Sequence, residues 1–285
     1  MIVYVNRENV DLDKYDACLQ KAVNSRIYAF SWYLDIVADN WGVLVLEDYK
    51  AVMPVPWRSK YFIKYIYPPC WTQQLGVFGA EFISEELMQD FIKAIPRKFK
   101  KVTLQCNAGN PIMKRASKKH NYILNLNRSV LEIYEGFNKN RKRALKKEND
   151  GLLEKKVSPE EFLRFYKVQS NNSVFSKNHW TTLQELLKRK HNDLHIWGMR
   201  EAGVLSAALV WVKDTQRLTY LIPCATISGK KKGMPSFLVF ELLKAFANTD
   251  SILDFEGSMI SGVASFYKSF GAEKEVYSFY QEKRL

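Results

Sequence analysis

The chain is poor in the features that mark several simple protein classes. Its four cysteines, Cys18, Cys70, Cys106 and Cys224, stand far apart and form no CxxC pair. That spacing excludes the common cysteine–zinc sites, and a chain of 285 residues needs no disulfide framework to hold a core. There is no His-Glu-x-x-His, no Gly-x-Ser-x-Gly elbow and no Walker loop, so no metal is expected and three common catalytic architectures are set aside. No apolar run approaches the about 20 residues that cross a bilayer. The opening MIVYVNRENVDLDKY lacks a basic segment followed by a long apolar one. These absences predict a protein of a reducing cytoplasm, without a leader or a transmembrane segment. No stretch is of low complexity.

What is present is core material and positive charge. Hydrophobic residues make up 47% of the chain and aromatics 14%, which excludes global disorder, and the length suits two domains of ordinary size. Net charge is +13, from 43 basic and 30 acidic residues. An excess of that size points to an anionic partner: nucleic acid, a phosphorylated cofactor or a membrane surface.

Two stretches share one plan. In the first, a helix around Trp32 to Ala38 precedes strands at Gly42 to Leu46, Ala51 to Trp57 and Tyr61 to Tyr67, with a polar turn over Glu47 to Lys50. In the second, a helix around Thr182 to Lys190 precedes strands at Leu194 to Met199, Val204 to Val212 and Arg217 to Cys224. Each then adds a helix and a strand. Ser84, with Glu85 and Glu86 behind it, caps the first of these helices, and Pro235 opens the second. Their strands are Lys101 to Cys106 and Ile252 to Phe255. The repeat of plan predicts a duplicated mixed α/β fold, with mostly antiparallel sheets flanked by helices and domains over residues 1–128 and 129–285. A very basic linker helix is expected over 136–149, with Lys139, Arg141, Lys142, Arg143, Lys146 and Lys147. Ser129 with Glu132, and Ser158 with Glu161, have capping-box spacing, and Gly151 is a helix stop.

Three groups of residues carry candidate chemistry. Asp254 and Glu256 end a strand, where open α/β sheets place sites. Alternation turns both to one face, with Phe255 opposite. One of them acts on an amine, or they cap the next helix and pair with lysines. Gly229, Lys230, Lys231, Lys232 and Gly233 precede a helix, where phosphate is held by backbone N–H groups and charge, or they form a solvated loop. The basic linker helix, and the cluster of Lys114, Arg115, Lys118 and Lys119, are solvated faces or contacts for RNA or anionic lipid. Trp57, Tyr65, Tyr67, Trp71 and Gln73 line a groove or fill a core. Cys224, with no evident histidine partner, reads as structural.

The stretch LDFEGSMISGVASFYKSFGAE and the order of elements around it resemble the GNAT N-acyltransferase superfamily, and more narrowly its FemAB-like branch of tandem GNAT domains. The resembling segments are Asp254-Phe255-Glu256-Gly257, Phe266-Tyr267-Lys268 with Phe270-Gly271, and the basic NKNRKRALKKENDGL. The resemblance covers nearly the whole chain in layout. It implies direct transfer of an acyl or aminoacyl group to an amine on a small molecule or peptide, with a site in the second domain and the first shaping the acceptor. It implies Tyr267, four residues before Gly271, as general acid, unless that ring is a packing aromatic like Phe266 and Phe270. It implies that KKKGMPSFL, with Gly229 to Gly233 and Ser236, stands where acyl-CoA enzymes hold pyrophosphate; Pro235 there removes one N–H donor. The donors it implies are acyl-CoA and aminoacyl-tRNA, the latter drawn to basic surface. The other reading is a catalytically degenerate GNAT-fold protein that binds an anionic partner such as RNA or a phosphorylated ligand. Neither the acceptor nor the oligomeric state is fixed by the sequence.

Overall fold

The computed structural model describes residues 1–146, 151–170, 177–189, 191, 193–257 and 259–284. The chain divides into two compact units, 1–120 with 275–285, and 121–274. In chain order the first unit contains β1 (Ile2–Asn6), α1 (Leu12–Lys21), α2 (Ser31–Val37), β2 (Asn40–Leu46), β3 (Ala51–Lys60), β4 (Ile63–Ile66), β5 (Phe78–Gly79), α3 (Glu85–Ala94) and β6 (Phe99–Cys106). The second contains most of β7 (Ser117–Asn125), then α4 (Val130–Glu135), α5 (Lys139–Leu145), β8 (Leu152–Glu154), α6 (Pro159–Gln169), α7 (Lys177–Lys188), β9 (Leu194–Glu201), β10 (Val204–Lys213), β11 (Arg217–Ala225), α8 (Ile227–Lys231), α9 (Met234–Phe246), β12 (Ile252–Asp254) and α10 (Ser261–Lys268). The last strand, β13 (Glu273–Lys283), pairs with β6 from Ser278 to Lys283, so the C-terminal residues lie in the first unit. Expected bounds at 128 and 129 followed the order of elements along the chain. A strand that returns to a distant partner leaves no local signal.

The duplicated plan is present. The first unit has strand order β1-β2-β3-β4-β6-β13, with β5 on β3; the second has β8-β9-β10-β11-β12-β7. In each, a single parallel pair, β4–β6 or β11–β12, follows an antiparallel meander. Each parallel pair is bridged by an amphipathic helix, α3 or α9, that packs on the sheet. Met88, Phe91 and Ile95 fill the first core with Val102 and Phe99. Leu238, Val239, Leu242 and Leu243 fill the second with Leu218, Leu253 and Phe255.

Local signals hold where short-range spacing fixes them. Ser84 Oγ accepts the Leu87 N–H, and the Ser129–Glu132 capping box closes from both sides. The Ser158 hydroxyl caps α6 through the Glu161 N–H, but the Glu161 carboxylate takes both terminal nitrogens of Arg200 instead of closing a box. Arg200 also donates to Glu154, tying β8, β9 and α6 together. The third strand of the first meander begins at Ile63 rather than Tyr61, because Tyr61 and Phe62 form the turn. The basic helix spans Lys139–Leu145; Lys147 and the rest of its expected end lie outside the described residues. No helix among them is long and apolar enough to cross a membrane.

Candidate active site

In the second unit β11 and β12 run parallel for three pairs only, Arg217↔Ile252, Leu218↔Leu253 and Thr219↔Asp254. Beyond them the strands no longer pair. On the β12 side, Glu256 adopts a left-handed φ of 62° just before Gly257, which ends the extended run and the alternation assumed from sequence. A bulky residue in this region carries strain, and such strain gathers at functional sites. On the β11 side, a bulge between Val210 and Trp211 sets Trp211 against Tyr220 and Val210 against Ile222.

Asp254 is 2% exposed and fully engaged. Its Oδ1 accepts from Asn121 Nδ2 at 3.0 Å and from the Glu256 N–H at 2.9 Å; its Oδ2 accepts from an Arg217 terminal nitrogen at 2.8 Å. A carboxylate bound so completely is not poised to take a proton from a substrate. Its hydrogen bond to the Glu256 backbone instead fixes the turn that presents Glu256.

Tyr267 lies on α10, 7% exposed. Its ring stacks on Phe255 at 5.0 Å and 27°, stands edge-on to Tyr220 at 6.1 Å, and tilts against Tyr122 at 6.0 Å. Burial raises its hydroxyl well above the ordinary tyrosine range, and the charges of Glu256 and Asp254 push it further. Tyr220 is raised in the same way, by burial first and Tyr267 next. The fold therefore brings Tyr267, Glu256 and Asp254 together at the point where β11 and β12 part.

The stretch KKKGMPS is not an open loop. Thr226 caps α8, its hydroxyl accepting the Gly229 N–H at 2.9 Å. The chain then turns at Gly233, φ 75°, directly into α9. The N–H groups of Lys230, Lys232, Gly233, Ser236 and Phe237 all donate within this stretch, the last two to the Gly233 carbonyl. Pro235 has none. Lys232 is ion-paired with Glu201. Gly229 is buried inside α8, where an added Cβ would meet the Ser206 carbonyl oxygen at 2.4 Å. Its role is close approach of α8 to β10. Gly229→Ala should therefore cost about 1–3 kcal/mol in a denaturation experiment, by pushing the helix off the strand. Of the six residues expected to hold a cofactor, Lys230 and Lys231 remain exposed.

Ser236 is buried and accepts from Arg141. Arg141, read from sequence as one cation of a solvated helix, is itself buried. Its Nε donates to Ser269 Oγ at 3.0 Å, and its guanidinium lies 4.5 and 4.3 Å from the ring centres of Phe266 and Phe270. Burial lowers it to about 10. The overlooked signal is the i, i+4 series Phe137-Arg141-Leu145, which puts the arginine on the apolar face of α5. Arg217 and Asn121 gave no signal at all, since their partner Asp254 is remote in sequence. Cys224 is held as a thiol, pushed up to about 11 by burial. In the first unit, Trp57 packs against the core and Tyr67 is buried with its hydroxyl on Asp39 at 2.9 Å, so that part of the aromatic run is largely packing.

No protein-family model matches the chain, and no curated protein matches it by sequence. Its fold does match solved structures. FemX aligns at a TM-score of 0.68 and 9% identity, over 95% of this chain and 96% of its own. A tandem GNAT protein from the clavulanic acid biosynthesis pathway aligns at 0.59 and 9% identity, over 99% and 98%. L-PGS from Bacillus licheniformis aligns at 0.54 and 14% identity, over 95% and 91%. The chain has the tandem GNAT fold of the FemAB-like type.

Proposed function

We propose that this protein is an N-acyltransferase of the GNAT/FemAB-like type whose donor is an aminoacyl ester on RNA. The observation that carries the reading is the meeting of Tyr267 and Glu256 where β11 and β12 part, at strand ends where α/β folds set their sites. Glu256 receives the proton of the attacking amine and Tyr267 returns one to the leaving group. Asp254, held by Arg217 and Asn121, positions Glu256.

Two observations favour an ester over acyl-CoA. Five of the N–H groups that could cradle a pyrophosphate, those of Lys230, Lys232, Gly233, Ser236 and Phe237, already donate within the α8–α9 turn, and Pro235 has none. The Tyr267 hydroxyl is also a very weak acid. A thiolate leaves without help from such a group, whereas a ribose alkoxide needs a proton. The exposed cations of α5 and α8 suit a polyanionic donor, and the Ala144 carbonyl at the end of α5 lies beside Gly233.

The experiment is a calorimetric titration with acetyl-CoA and free coenzyme A at low and moderate salt, beside a transfer assay with charged tRNA. Coenzyme A should bind weakly and lose that binding in salt, and charged tRNA should donate to an amine. Micromolar coenzyme A binding that survives salt would overturn the donor assignment. A chain that binds RNA but transfers nothing, with Tyr267→Phe and Glu256→Gln unchanged in binding, is the degenerate protein that Pro235 and the Arg141–Ser236 contact also accommodate.

A further inference from the structure

The β3–β4 hairpin ends in Lys60-Tyr61-Phe62-Ile63-Lys64, with Lys60 and Ile63 paired across a two-residue turn. Tyr61 is 83% exposed, Phe62 104% and Ile63 52%. Tyr61 and Phe62 have φ of 49° and 62°. Positive φ at both central residues is the pattern of a type I′ hairpin, which favours Asn-Gly because a side chain in the left-handed region crowds its own backbone. Here two aromatics occupy those positions while staying almost wholly exposed; the Lys60 ammonium lies 5.4 Å from the Tyr61 ring centre. Residues unfavourable for this turn thus stand where they are almost fully exposed to solvent.

Cations surround the base of this tip. Lys60 and Lys64 flank it. Strand β4 runs parallel to β6 with Lys64 opposite Phe99, so Ile63 and the exposed Arg97-Lys98 emerge at the same end of the sheet. The Lys64 ammonium lies 4.8 Å from the Trp57 ring centre, and that of Lys98 4.4 Å from the Tyr4 ring centre. Lys98 is lowered by burial and then by the charge of Lys64; Glu8 is the acidic group that acts on it. Among the described residues none of Lys60, Lys64, Arg97 and Lys98 forms an ion pair. Like charges are gathered around an apolar point, with the Glu8 carboxylate acting on Lys98 without forming an ion pair.

We propose that the Tyr61–Ile63 tip inserts at the surface of an anionic bilayer, with Lys60, Lys64, Arg97 and Lys98 on its phosphates. Aromatic and aliphatic side chains settle at the boundary of headgroups and acyl chains, while lysine and arginine reach the phosphate level. A convex, fully projecting tip suits this better than stacking on bases, which uses aromatic faces set along a groove. This inference does not depend on the transfer reaction.

The test is cosedimentation of the full chain with vesicles of phosphatidylcholine, alone or mixed with phosphatidylglycerol. The wild type should partition at least about tenfold more strongly onto the anionic vesicles. The variant Y61N/F62G has the residues this turn prefers, so it should unfold at a higher temperature and yet lose about tenfold or more of its vesicle binding. Phe62→Gly alone, which relieves one strained position, should move both readouts the same way by less. Vesicle binding that is unchanged in the folded variants, or equal on neutral and anionic vesicles, overturns the proposal. So does the absence of vesicle binding together with tRNA binding that the variants lose, which would assign the tip to nucleic acid.

Discussion

Replacing Tyr267 with phenylalanine should lower transfer by about 10²–10⁴-fold with little change in stability. That range is what a positioned general acid contributes. Phenylalanine keeps the ring that stacks on Phe255 and meets Tyr220 and Tyr122, so the aromatic cluster survives and only the hydroxyl is lost. Single-turnover rates with charged tRNA, beside an unfolding curve, separate chemistry from folding. Glu256→Gln should impair the same step. If Tyr267→Phe turned over at the wild-type rate, Tyr267 would be a packing residue and the leaving group would receive its proton elsewhere. The raised tyrosine adds a further expectation. Its hydroxyl stays protonated throughout the neutral range, so no loss of activity between pH 7 and 9 should trace to it.

Arg217→Leu should destabilise the second unit by about 3–5 kcal/mol, the scale for removing one partner of a buried ion pair. The Arg217 and Asp254 side chains are 9% and 3% exposed and meet at 2.8 Å. Without the guanidinium, the Asp254 carboxylate keeps only the Asn121 amide and the Glu256 N–H, too little to offset its desolvation. The double variant R217L/D254L should recover much of the loss, because the uncompensated charge goes with the second substitution. Denaturation followed by circular dichroism reads both. A single variant as stable as wild type would show that the pair does not hold the β11–β12 junction. The double variant should stay low in transfer activity, since the turn that presents Glu256 loses its anchor.

The structure also clarifies which kinds of inference a sequence supports. The caps at Ser84, Ser129 and Ser158 were legible because a cap depends on residues three apart. The two meanders and their following helices were legible because hydrophobic period and turn chemistry are local. The short motif around Asp254 and Tyr267 was enough to suggest the fold. Reading went astray where a residue answers to a distant partner. Asp254 read from sequence as a residue that handles an amine, caps a helix or pairs with a lysine; its partner is Arg217, thirty-seven positions away. Arg141 looked solvated within a basic run, but its partners Ser236 and Ser269 lie 95 and 128 positions away. Gly229 looked like part of a phosphate loop and is a packing glycine against Ser206.

Composition, period and capping by themselves determined a duplicated mixed α/β chain with a basic surface, because each rests on short-range preferences that every copy of a segment shares. The strand pattern also put Glu256 at a strand's end, while Tyr267 on the following helix was singled out by the resemblance to the FemAB-like branch. Tertiary structure alone decided which charges are buried and paired, which N–H groups of the α8–α9 turn are already spent, and that the final strand joins the first unit. Those outcomes depend on desolvation and on pairing between residues far apart in the chain. The energy of a carboxylate or a guanidinium is set by what surrounds it after folding, not by its neighbours in sequence.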